Sequence, residues 1–166
     1  MNKSSHPPGF QAVRRDRLLQ EAVHDSYKMK GKLHEPSFCA ECGAVYHQGR
    51  WQWMDRPEHA HETHCPACLR IHDHYPAGYV SMKGDFLTAH EQEIRQLISN
   101  HEEQEKSAHP LQRIMDIERS ADGITVTTTD IHLARGIGDA VHHAYRGELD
   151  FHYNPEQNLL RVSWAR

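Results

Sequence analysis

Apolar positions keep helical and strand periods through the second half of the chain and thin out in the first. Phe86, Leu87, Ile94, Leu97 and Ile98 recur at helical spacing and predict a helix from about Asp85 to Ser107. After Ile98 the run SNHEEQEKSAH is almost wholly polar, so the end of that helix reads as an exposed extension or a connector. The period then changes to alternation in LQRIMDIE, with Ile114 and Ile117 as candidates for burial. Ala121-Asp122-Gly123 signals a hairpin turn, and the β-branched run ITVTTT follows as a strand. Asp130 is placed to cap a helix over about 131–146, and Gly147 to end it. The stripe of that helix is Ile131, Ala134, Ile137, Val141 and Ala144 or Tyr145. ELDFHY and NLLRVSWA read as strands around a turn at Asn154-Pro155-Glu156. The order αββαββ calls for one antiparallel sheet covered by helices, a small α+β sandwich over residues 85–166.

The first half lacks such periods. Residues 1–10 are polar and read as disordered. Residues 11–24 have weakly helical spacing through Ala12, Val13, Leu18, Leu19, Ala22 and Val23, and DSYKMKGKLHEP is a basic linker. Together, residues 1–36 are expected to form a basic arm, partly disordered or helical. Residues 37–84 carry four cysteines, short aromatic stretches and a brief YVSM strand before Gly84.

Cys39-x-x-Cys42 and Cys65-x-x-Cys68 are separated by twenty-two residues. Two such pairs can complete a tetrahedral four-sulfur zinc site, each short spacing letting both sulfurs of a pair face one ion. Gly43 suits the tight turn after the first pair. The rival readings are a dithiol redox centre, an iron–sulfur cluster and an open catalytic zinc. The redox centre needs only one pair in a βαβ setting, and the open zinc usually mixes in histidine or carboxylate. A module this short, with so few aliphatics, cannot bury enough surface to fold alone. Structural zinc supplies about 10–16 kcal/mol in small fingers, so a zinc ribbon or knuckle over residues 37–84 is the expectation. Among sixteen histidines, His59, His61, His64, His72 and His74 crowd the second pair. They are read as surface residues of a polar loop, with a second metal as the competing reading.

Charge adds an asymmetry. The chain carries a net charge of −4, but residues 1–34 hold seven basic and three acidic side chains, leaving twelve basic and twenty acidic residues beyond them. A basic arm on an acidic body is a pattern of nucleic-acid contact, with a solvated tail as its alternative. Arg14, Arg15, Arg17, Lys28, Lys30 and Lys32 are the arm's candidate phosphate contacts. Between the cysteine pairs, Arg50, Trp51, Trp53 and Arg56 add two arginines and two stacking aromatics, with packing on the metal knuckle as the competing role for a tryptophan. Trp51 and Trp53 are expected to share one face of a strand, and Arg70 and Lys83 to extend the positive surface. No apolar run of about 18 residues and no apolar leader segment is present, so a cytoplasmic protein is expected. No phosphate loop or nucleophile elbow is found; strand propensity and capping account for Thr127 to Asp130, and the helix dipole for His142 and His143.

The four-cysteine segment followed by DGITVTTTDIHLARGIGDAVHHAYRGELDFHY resembles the zinc-bearing N-terminal part and following α/β domain of the large-ribosomal-subunit export adaptors named for nonsense-mediated decay. It is also similar to a family of short bacterial proteins sharing RIMDIE, TTTDIHLARGIG and HHAY-x-GELD, over residues 10–166. The resemblance to the adaptors covers mainly residues 37–80 and 112–153. It implies zinc on Cys39, Cys42, Cys65 and Cys68, and contact with the large ribosomal subunit, its RNA or its proteins. The adaptors carry more cysteine pairs and further domains, so an export role does not transfer. The expected function is a non-enzymatic zinc protein on the ribosome or ribosomal RNA, in assembly or stress. The rival is a zinc-stabilised protein-interaction adaptor without RNA contact; an enzyme or metal sensor built on the histidines near Cys65 is the third reading.

Overall fold

A computed structural model describes residues 7–16, 27 and 33–166. Among the described residues the chain is an α+β protein with three helices and two sheets. The smaller sheet is built from strands of three residues: β2 (Ser37–Cys39), β3 (Val45–His47), β4 (Arg50–Gln52) and β5 (His61–Thr63), in the order β4-β3-β2-β5. Its apolar burial is confined to a few side chains such as Phe38, Ala44 and Val45. Helix α1 (Pro66–Asp73) follows directly.

The larger sheet holds β1 (Gln11–Val13), β6 (Gly78–Lys83), β7 (Ile114–Ser120), β8 (Gly123–Thr128), β9 (Glu148–Asn154) and β10 (Leu159–Ala165), in the order β1-β9-β10-β6-β8-β7. Helices α2 (Asp85–Ala108) and α3 (Ile131–Tyr145) connect its strands. Alternate residues of the central strands, including Val80, Met82, Val126, Val162 and Trp164, join Leu87, Ile94, Ile98, Ile137 and Val141 of the two helices in one buried cluster. Strand alternation and helix periodicity thus meet on a single layer, with the helices on one face.

Two features differ from the sequence reading. The sheet is mixed: β10 runs parallel to β6, while its other pairings are antiparallel. The cause is β6, a strand lying within residues 37–84 yet seated at the centre of the large sheet. Both β6-α2-β7 and β8-α3-β9 are therefore crossovers that skip strands, and β10 fills the gap beside β6. Secondly, Gln11–Val13 is not helical but an edge strand on β9; residues 17–24 of that expected helix lie outside the described residues. The polar run after Ile98 stays helical, so α2 spans Asp85–Ala108 against the expected 85–107, and the extension rather than the connector is what the chain forms.

Caps follow the chemistry of the sequence. Asp130 Oδ1 accepts the backbone N–H groups of His132 and Leu133 at 2.8 and 3.1 Å, closing the start of α3. Its end turns through Arg146 and Gly147, both at positive φ, with Gly147 at +94° where an L side chain is strained.

Ile137 is fully buried between α3 and the sheet. Replacing it with Ala is expected to lower unfolding stability by about 2–5 kcal/mol in a urea titration.

Candidate functional site

Cys39 ends β2, and the turn after it is closed by two backbone bonds, Cys39 N–H to Ala44 O at 2.8 Å and Gly43 N–H to Cys39 O at 2.9 Å. Gly43, at φ +79°, supplies the left-handed residue this turn requires. The second pair is built differently. Cys65 is the N-cap of α1, its sulfur accepting the Cys68 N–H at 3.4 Å, and Pro66 fits the first helical position. Cys65 N–H in turn points at Cys39 Sγ at 3.3 Å. A helix start and a strand end therefore aim four sulfurs at one point.

Those sulfurs all lie within 4.8 Å of one another, with Cys42 and Cys65 at 3.8 Å. All four cysteines are free. An ion held tetrahedrally by sulfurs at about 2.3 Å has sulfur–sulfur edges of about 3.8 Å, so the cluster can hold a metal ion with little movement. As thiols, Cys42, Cys65 and Cys68 compete. The bond to Cys65 lowers Cys42 to about 4, against the effect of burial. The same bond, and burial, push Cys65 far above the ordinary thiol range. Burial raises Cys68 to about 11 although Arg113 pulls it down. A divalent cation removes this competition by replacing the protons on every sulfur.

Arg113 is the residue the sequence reading missed. It lies just before β7, is only 8% exposed, and reaches Cys65, Cys68 and Cys42 with one guanidinium nitrogen at 3.0, 3.3 and 3.7 Å. Burial works against its charge, but the bond to Cys68 and the field of the sulfurs outweigh it and hold its pKa above the usual value. Thr129 fixes its backbone: Arg113 N–H donates to Thr129 Oγ1 at 3.0 Å, and Thr129 N–H to Arg113 O at 2.9 Å. A lone arginine 45 residues past Cys68 carries no motif that could have revealed it.

Beside the cluster lies a cavity of about 490 Å³ between the small sheet, the start of α1 and the 109–112 loop. Arg50, Trp51 and Tyr46 line it, along with Tyr27, Leu33, His64, Leu69 and Asp130. Trp51 also packs against the cysteine cluster, and its ring is tilted on Tyr46 at 5.5 Å.

The remaining sequence candidates go elsewhere. Trp53 lies beyond β4 rather than beside Trp51, and its indole N–H donates to Lys106 O at the end of α2. Arg56 sits over the Phe38 ring at 3.6 Å. Arg14 pairs with Asp16 at 2.8 Å, and Arg15 contacts His142 of α3 at 2.6 Å. Arg17, Lys28, Lys30 and Lys32 lie outside the described residues. Arg70 is no surface charge: it is 2% exposed, with Tyr27 and Tyr75 against its guanidinium. His59, His61, His64, His72 and His74 are exposed, and among the described residues only the cysteines form a metal-holding group. No helix among the described residues is long and apolar enough to cross a membrane.

Compared with known proteins, the chain matches no family model, no curated protein and no solved structure. The reading of this site therefore stands on its geometry.

Metal analysis of purified protein is expected to find about one ion per chain, and Cys65→Ser to bring that ratio close to zero. Arg113→Met should keep the four sulfurs but weaken metal retention by about 10–100-fold, read by competition with a chromogenic chelator. Unchanged retention would show that Arg113 does not support the cluster.

Proposed function

We propose that the protein is a non-enzymatic, zinc-stabilised protein that associates with the ribosome through RNA of the large subunit. Zinc suits the cluster because four thiolates close its tetrahedral shell and leave no position for water or substrate. That favours a structural ion over a catalytic one.

The observation that carries the RNA reading is the company kept at the cavity. Arg50, Trp51 and Tyr46 line it, and so do Tyr27 and Leu33. In the sequence, Tyr27 and Leu33 bracket Lys28, Lys30 and Lys32. A cation and two aromatic rings are thus reached by the chain on either side of three lysines. Phosphate-binding charge next to stacking surface is the composition of single-stranded RNA sites. Arg14 and Arg15 contribute less in this reading, since Asp16 and α3 already engage them.

The test is co-sedimentation with ribosomes, and binding to ribosomal RNA fragments, at rising salt. With about four phosphates neutralised by Arg50 and the three lysines, log K should fall against log salt with a slope of about −3 for single strands. Replacing Lys28, Lys30 and Lys32 together by Ser should flatten that slope by about 2. Absence from ribosomal fractions and from RNA at low salt would defeat the proposal. Iron in place of zinc in the purified protein would defeat its metal assignment.

A further inference from the structure

The cavity beside the metal cluster has more definition than a phosphate-binding surface needs. Its volume, about 490 Å³, falls in the range of cavities that enclose small ligands. Its apolar walls come from Trp51, Tyr46, Leu69 and Leu111, while Arg50, His64, His109 and Gln112 supply polar groups. Each wall rests on a fixed element. Pro66 and Leu69 belong to α1, whose N-cap is a member of the cysteine cluster. The loop before β7 is held by Thr129 Oγ1, which donates to Leu111 O at 2.6 Å. Asp130, on the same boundary, is occupied in capping α3. Arg50 is the one Lys or Arg among the described lining residues.

Resting on the RNA reading above, we propose that this cavity is a subsite for one unpaired nucleobase, stacked on Tyr46 with the tilted Trp51 ring against its edge and Arg50 on its phosphate. A flat π-system suits two aromatic side chains, since every base offers a face to stack. The polar groups suit a base edge and its phosphate far better than an aliphatic chain, which would leave them unpaired. Recognition of this kind requires a base turned out of a helix, so the site selects loops and bulges over duplex.

The experiment uses the metal-loaded full chain and two probes: a short fluorescent single-stranded RNA and the same strand with its bases removed. Anisotropy is expected to show the base-bearing strand binding roughly tenfold or more tightly. Two variants should erase that difference: Tyr46→Leu, which removes a stacking ring, and Leu69→Trp, which fills the cavity from the half-exposed side of α1. Tyr46→Phe should retain the preference. Metal content and melting temperature check that each variant is folded; Leu69→Trp keeps the test decisive if the Tyr46 change disturbs the small sheet. Equal binding of the two strands by the unaltered protein, or a preference that survives in a folded Leu69→Trp variant, would overturn the base subsite while leaving the RNA reading standing. Failure of both probes to bind the unaltered protein would instead count against the RNA reading itself.

Discussion

Four thiolates on a divalent ion carry a net charge of about −2, and here three of the four cysteines are buried. A buried charge without a partner is destabilising by several kcal/mol, so a metal-loaded cluster of this kind would gain from a cation beside it. That cation is Arg113, and it comes from the other sheet system. The backbone that carries this side chain is held by Thr129, between the end of β8 and the start of α3. The metal module and the large sheet are therefore one electrostatic unit.

A second joint works by shape. Trp53 reaches over to the last turn of α2 and donates to a carbonyl there. The last carbonyls of a helix lack intrahelical donors, so an indole N–H is a natural partner for one of them. This gives the polar end of α2 a reason to stay helical although it buries little apolar surface. Two contacts, one charged and one neutral, thus tie the module to the elements of the large sheet at two places.

The fold was legible where burial repeats with a period. Ile131 to Val141 and the alternating strands β8 to β10 obey rules that depend only on local spacing. The cysteine pairs were legible because thiolate geometry forces the CxxC spacing. What escaped depends on long-range partners. The brief apolar run in GYVSMK could not announce that it sits between β8 and β10, and that placement alone makes the sheet mixed. Gln11–Val13 followed a helical pattern too short to outweigh the free edge of β9. Trp51 and Trp53 looked equivalent by alternation, but β4 ends at Gln52 and separates them. Arg113 could not be chosen from nineteen basic residues without knowing what faces the sulfurs.

Counting charge along the chain also treats the N-terminal basic residues as one arm, whereas their neighbours divide them. Arg14 and Arg15 lie next to an edge strand and engage Asp16 and α3. The three lysines fall between two residues that line the cavity. Most acidic side chains belong to the rest of the chain, and salt screens charges beyond about 10 Å at 0.1 M. Under the proposed RNA reading, a strand approaching the cavity would feel mainly the cations nearest it, with the acidic body acting as a weak long-range repulsion. Such an arrangement would orient rather than merely attract: the strand would be turned away from the bulk of the surface and accepted where the aromatic rings lie. It is also the arrangement in which a modest number of cations suffices, because none of them has to neutralise the whole body.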